Sequence, residues 1–216
     1  MRFNLKKLCV LAMLSAIAYV VMVFGRIPVV LFLKYDPKDV IITIGGFLYG
    51  PLAALAMTVM VAFAEMFTVS ENGVIGFLMN VISGCSFACT AAFLYKRRRS
   101  LTGAVIGLAA AWLLTTAVMI LWNYLITPLY MARPREEIAA LLIPAFLPFN
   151  LIKGGVNAAF TMMLYKPVKT ALQKSRMMPP VEEPDRKGKL NPGVLIASVF
   201  VVGTCVLWVL VLQGKI

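Results

Sequence analysis

The chain has 216 residues, of which 61% are hydrophobic and only 14% charged, whereas a soluble domain of this length carries about a quarter charged residues. So much apolar surface cannot be covered within a water-soluble domain of this size, which leaves lipid as its solvent. The net charge of +12 does not mark a nucleic-acid binder, because the basic residues sit at the ends of apolar segments rather than along one polar face. Ten-residue alternation is absent, which argues against a β-barrel. The apolar segments run for about 17 to 25 residues, the span of a bilayer at helical rise.

In chain order, a first helix is predicted over residues 8–24, behind the basic residues Arg2, Lys6 and Lys7. A loop follows, through Pro28 and the string Leu33-Lys34-Tyr35-Asp36-Pro37-Lys38-Asp39. The second helix begins near Asp39, whose carboxylate is placed to cap exposed backbone N–H groups, and ends in a tight turn at Gly50-Pro51. The third covers residues 52–67 and contains Glu65; a polar loop separates it from the fourth, residues 74–95. The basic string Lys96 to Arg99 precedes the fifth, residues 101–126. A longer loop, residues 127–143, leads to a sixth helix over 144–172, whose length implies an extension or a break near Pro148.

Composition then changes. Residues 173–192 are rich in charge and proline and read as a linker. An uninterrupted apolar run of spanning length follows. The expected organisation is therefore an all-α integral membrane protein: a six-helix membrane domain over residues 1–172, a charged cytoplasmic linker over 173–192, and one additional C-terminal transmembrane helix within 193–216. The first apolar stretch has no convincing peptidase site and is read as a retained helix. With the N-terminus inside, inner segments hold fourteen Lys and Arg residues and outer segments six, which satisfies the positive-inside rule and places the C-terminus outside.

Polar groups within lipid are expensive, so their positions are informative. Glu65, Asn80, Asn123, Asn150, Lys153 and Asn157 all fall toward the outer ends of their helices, and Asp36 and Asp39 enter from the first outer loop. Spacings of three and four put Asn150, Lys153 and Asn157 on one helix face. Together with Tyr35 and Trp122 these groups outline an outward-facing pocket. Asn amides both donate and accept, which suits a neutral ligand rich in hydrogen-bonding atoms. The competing reading is structural: Asn residues bonding across helices, Lys153 snorkelling, or Glu65 pairing with Lys153. Cys9, Cys85, Cys89 and Cys205 read as small packing residues, with no histidine in the chain to share a metal. No P-loop, HExxH or GxSxG motif occurs, so no enzymatic activity is expected. Ala12 and Ala16 on the first helix form a small-xxx-small ridge that permits close helix approach in lipid.

Several strings together resemble the substrate-binding S components of energy-coupling factor (ECF) vitamin transporters of the riboflavin-binding type. They are Lys34-Tyr35-Asp36-Pro37-Lys38-Asp39-Val40, Gly45-Gly46-Phe47-x-x-Gly50-Pro51, Gly76-x-x-Met79-Asn80, Trp122-Asn123-Tyr124-x-x-x-Pro128-x-Tyr130 and Pro148-Phe149-Asn150-Leu151-Ile152-Lys153-Gly154. The resemblance covers residues 5–172 and includes Ala12-x-x-x-Ala16 as a docking motif; the linker and seventh helix lie beyond it. It implies a six-helix S-component bundle in the plasma membrane that binds its vitamin from outside under a lid. It also implies partners, a membrane coupling subunit and two cytosolic ATPases, and no cofactor beyond riboflavin as transported ligand. By the same resemblance, Asn150 and Lys153 bond the polar edge of the flavin, Asn123 reaches polar ligand atoms, and Tyr35, Asp36 and Glu65 lie near the ribityl chain and lid. A different vitamin or base precursor, or a membrane adaptor without ligand, are the alternatives.

Overall fold

The computed structural model describes residues 5–30, 33–70, 72–177 and 192–212. Helix α1 (Leu5–Phe24) leads into a hairpin of β1 (Ile27–Val30) and β2 (Leu33–Tyr35), followed by α2 (Lys38–Tyr49) and α3 (Pro51–Thr68). Next come α4 (Gly73–Gly84), a π-helical turn over Cys85–Cys89, and α5 (Thr90–Arg97), which form one continuous rod. Helix α6 (Leu101–Leu125) is followed by the short α7 (Thr127–Met131) and α8 (Arg135–Leu141), then a π-helical turn over Leu142–Phe146 that merges into α9 (Leu147–Lys174). Helix α10 (Pro192–Leu212) is the expected seventh. Most of the expected linker lies outside the described residues.

Among the described residues, six helical spans are long and apolar enough to cross a membrane, α10 among them. The exception is α2. At 12 residues it measures about 18 Å, well short of a hydrocarbon core of about 30 Å. It is instead the central element of the bundle, with nine of its residues buried. Val40, Ile44 and Phe47 pack on Phe87, Ala91, Tyr95, Leu108 and Tyr165. Ile42 turns to a second cluster with Val10, Leu14, Ala54, Met57 and Val61.

Three sequence expectations are corrected. The first outer loop is a two-stranded antiparallel hairpin pairing Ile27 with Tyr35 and Pro28 with Lys34; its strands are too short, and too interrupted by proline and lysine, to announce themselves by alternation. Asp39 does not cap α2: the N-cap is Pro37, with no side-chain bond, and the Asp39 carboxylate is engaged elsewhere. The expected loop over residues 127–143 is largely helical, so the last core span is one 40-residue rod from Arg135 to Lys174. Pro144 sits within the π-helical turn and Pro148 just after it, where the regular i→i−4 ladder is already interrupted and residues without an N–H are accommodated.

Close packing rests on small residues. Gly50 adopts φ +94, a left-handed conformation that lets α2 reverse directly into Pro51 at the start of α3. A Cβ on Gly46 would lie 2.9 Å from the Cβ atoms of both Ala54 and Ala92, so α2 touches α3 and α5 almost backbone to backbone. A Cβ on Gly154 would fall 2.1 Å from Cδ1 of Trp112, so the missing side chain of α9 leaves the place that the indole of α6 fills. Gly154→Ala must therefore displace the indole. We expect it to lower the unfolding temperature in detergent, at about 1 to 3 kcal/mol; an unchanged temperature would mean that Trp112 swings aside freely.

Candidate substrate-binding site

The helices alternate in direction, so the end of α3, the start of α4, the end of α6 and the starts of α2 and α9 gather at the hairpin end of the bundle. There they enclose a cavity of about 160 Å³. Of the residues expected from sequence, Asp36, Glu65, Asn80, Asn123, Asn150 and Lys153 line it. Tyr35 and Asn157 do not. The Tyr35 hydroxyl donates to Oδ1 of Asn157 at 3.0 Å, behind the wall that Phe149 presents to the cavity. Burial pushes the Tyr35 phenol far up, so it keeps its proton and acts as donor. Trp122 is also absent from the lining; Tyr130 and Phe149 supply the aromatic surfaces instead.

Four of the cavity's lining residues, Arg26, Asp36, Glu65 and Lys153, belong to a charge network. Lys38 and Glu65 are each 3% exposed and form a close ion pair. Glu65 also accepts from Arg26 Nη2 at 2.5 Å. Lys38 donates to Oδ1 of Asn80 at 3.0 Å and lies 3.8 Å from the Asp36 carboxylate. Arg26 is further held by the Val69 carbonyl, at 3.4 Å. Lys153 pairs with Asp39 at 3.5 Å, not with Glu65 as the sequence allowed. Burial alone would raise the Asp36 pKa, but Lys38, Lys153 and Arg26 outweigh it and hold the carboxyl below its usual range. Three cations thus meet three carboxylates in one charged cluster: ion pairs link Arg26, Glu65, Lys38 and Asp36, and the separate Lys153–Asp39 pair couples to them through the field of Asp36.

The asparagines are fixed by local bonds. Asn150 Nδ2 donates to the Phe146 carbonyl at 2.8 Å and Asn123 Nδ2 to the Met119 carbonyl at 2.7 Å. The Thr127 hydroxyl donates to Asn123 Oδ1 at 2.9 Å and lies 3.3 Å from the Tyr130 hydroxyl. This chain of bonds sets the Tyr130 ring against the cavity, which is how the short α7 contributes to the site. Such anchoring pre-orders amide groups for recognition of a polar ligand.

Arg26 lines the cavity and Lys38 pairs with its lining residues Asp36 and Glu65, although the sequence presents both only as outer topological charges. The signal was present: a glutamate at depth requires a cation beside it. At the opposite side of α1, Ala12 and Ala16 lie on the exposed face, with Met13 and Ile17, away from the buried Leu14, Ser15 and Ala18. Among the described residues, no group of three His, Cys, Asp or Glu side chains is placed to hold a metal.

The model of the ECF transporter substrate-specific component family matches residues 6–165. The chain belongs to this family. Among its relatives, the riboflavin transporter FmnP of Bacillus subtilis is 33% identical over 186 residues, 80% of this chain and 97% of that one. The riboflavin transporter RibU of Staphylococcus aureus is 29% identical over 178 residues, 78% and 93% of the two chains. A solved structure described as the S component of a bacterial ECF transporter superposes with a TM-score of 0.65 at 30% identity, covering 78% of this chain and 98% of its own. The family match ends within α9, so α10 is an addition to a complete S-component bundle in a multi-pass membrane protein.

The network makes a thermodynamic prediction. Glu65→Gln leaves two cations without their shared carboxylate and should cost about 3 kcal/mol or more. Combined with Lys38→Met, the loss should be smaller than the sum of the single losses by about 0.5 to 3 kcal/mol. Unfolding in detergent measures this cycle; strict additivity would show that the two residues do not interact.

Proposed function

We propose that this S component binds riboflavin from the outer side of the membrane and delivers it to an ECF importer, without catalysing a reaction itself. The observation that carries this reading is the cavity: amides of Asn80, Asn123 and Asn150, the Lys153 ammonium, and the rings of Tyr130 and Phe149, gathered in one chamber at the hairpin end. Amides and one ammonium suit a flat, neutral heterocycle with carbonyl and ring-nitrogen acceptors, and aromatic walls suit its faces. The relatives named as riboflavin transporters support the same ligand. Asn150 and Lys153 take the polar edge of the ring and Asn123 adjacent polar atoms. Asp36 and Glu65 accept from the ribityl hydroxyls, and Asn80 bonds beside them through its contact with Lys38. Tyr35 and Asn157 act from behind the wall, holding β2 to α9.

The cavity of about 160 Å³ is below the range of about 300 to 1,000 Å³ typical of ligand-filled sites. Binding therefore requires the cavity to widen, and β2, which contributes Leu33 and Lys34 to the lining, is the wall proposed to give way. Transport then needs ATP hydrolysis by two cytosolic ATPases and a membrane coupling subunit. The exposed Ala12 and Ala16 ridge offers that subunit a surface for close helix approach.

Riboflavin fluorescence should be quenched on titration with the purified chain. Asn150→Ala should weaken binding about five- to 150-fold, the loss expected for one buried hydrogen bond. Lys153→Ala should lose more, because it also strands the Asp39 carboxylate. Full affinity in both variants would remove the site from these residues, and no quenching by the native chain at micromolar riboflavin would remove the ligand. Ala12→Trp and Ala16→Trp should abolish uptake by cells while leaving that quenching intact; uptake surviving both would place the coupling surface elsewhere. With the N-terminus inside, a reporter after Ile216 should lie outside; a cytoplasmic signal would mean that α10 does not span.

A further inference from the structure

The family match stops at residue 165, yet α10 is not a detached anchor. One seam of it faces the bundle: Ser198 is buried, and Val194, Val201, Cys205 and Val209 are half-buried, at intervals of three and four residues. The other faces, including Val199, Phe200, Val206 and Leu207, are exposed. Along this seam α10 packs on α9, and toward its outer end it also reaches β1. Gly155 of α9 faces this seam: a Cβ there would stand at ordinary contact distance, 3.7 Å, from both Cys205 Sγ and Val201 Cγ1.

The outer part of the seam meets a specific target. Cys205 and Val209 pack on the cluster formed by Val29 of β1, Tyr35 of β2, and Phe149, Ile152 and Val156 of α9. This cluster joins the hairpin to α9. Its Phe149 faces the cavity, and Leu33, which also lines the cavity, packs against it. The Tyr35–Asn157 hydrogen bond crosses the same junction.

We propose that α10 is a built-in brace on the hairpin, with Cys205 and Val209 as positioning residues that hold β1 and β2 against α9 over the cavity. In lipid, helix contacts are sustained by van der Waals packing rather than by expulsion of water. Lifting the hairpin separates Val29 and Tyr35 from Cys205 and Val209, so α10 favours the closed arrangement. None of its described residues lines the cavity, so it favours closure equally with the cavity empty or filled. A device of that kind slows entry and exit together and leaves affinity nearly unchanged, because a bias common to free and bound states cancels from the equilibrium. The ligand arm of this inference rests on the riboflavin reading; the hairpin arm does not.

The test compares the full-length native chain with Cys205→Ala/Val209→Ala, and with Phe200→Ala/Leu207→Ala as a lipid-facing control. Without ligand, hydrogen exchange of the amides at residues 27–30 and 33–35 should accelerate about three- to tenfold in the seam variant, the effect of losing one or two packing contacts. It should be unchanged in the control. In stopped-flow fluorescence with riboflavin, the association and dissociation rates of the seam variant should rise by the same factor, with Kd constant within about twofold. Unchanged hairpin exchange, acceleration spread over the whole bundle, or a raised Kd with an unchanged association rate would each overturn the brace. If the native chain does not bind riboflavin, the exchange arm still decides the brace, and only the ligand assignment fails.

Discussion

The structure is organised around a cluster of charges placed where charges are costly. Arg26, Lys38 and Lys153 meet Asp36, Asp39 and Glu65 inside a membrane bundle. Removal of any one would strand a partner in a medium that solvates it poorly. The six groups come from the end of α1, the hairpin junction, α2, α3 and α9. Charge balance therefore ties together five regions that apolar packing in lipid could leave free to slide, since lipid contacts are nearly as favourable as helix contacts. The network fixes register, and the register fixes the site.

The short α2 is the other half of this arrangement. A helix of 12 residues cannot reach across the bilayer, and its N-terminal Lys38 and Asp39, 3% and 2% exposed, lie inside the bundle rather than on its surface. That depth makes a chamber out of what would otherwise be a flat helix end. The small residues of α2 allow it to sink this far: Gly45 and Gly46 bring its backbone against Met57, Ala54 and Ala92. The helix ends around it supply the walls, and the hairpin covers the mouth. Charge pairing, cavity shape and bundle packing are thus one solution to one electrostatic problem.

Much of this was legible in the sequence because lipid imposes strict rules. Segment lengths gave the helices, and the polar residues at matching depths gave six of the cavity's lining groups. What was hidden depended on long-range pairing. Arg26 and Lys38 looked like loop charges, since nothing local shows that Glu65, 39 and 27 positions away, claims both. Tyr35 seemed a ligand contact, whereas its partner is Asn157, 122 residues on. Asp39 has the residue type and place of a helix cap, but Lys153 outcompetes the backbone for it. The hairpin was invisible because its strands have three and four residues. α10 reads from sequence only as one additional transmembrane helix; its packing on the hairpin comes from Cys205 and Val209, which no sequence pattern announces.

Membership in the S-component family gives the fold its transport context, and the cavity gives it chemistry. The account depends on the chamber above the charge network holding a flavin in the living cell. The most direct measurement is mass spectrometry of the small molecule released by denaturing protein purified from a riboflavin-containing culture. The account predicts a yellow preparation releasing riboflavin near one equivalent per chain. Release of a different vitamin or nucleobase precursor in that proportion would contradict it.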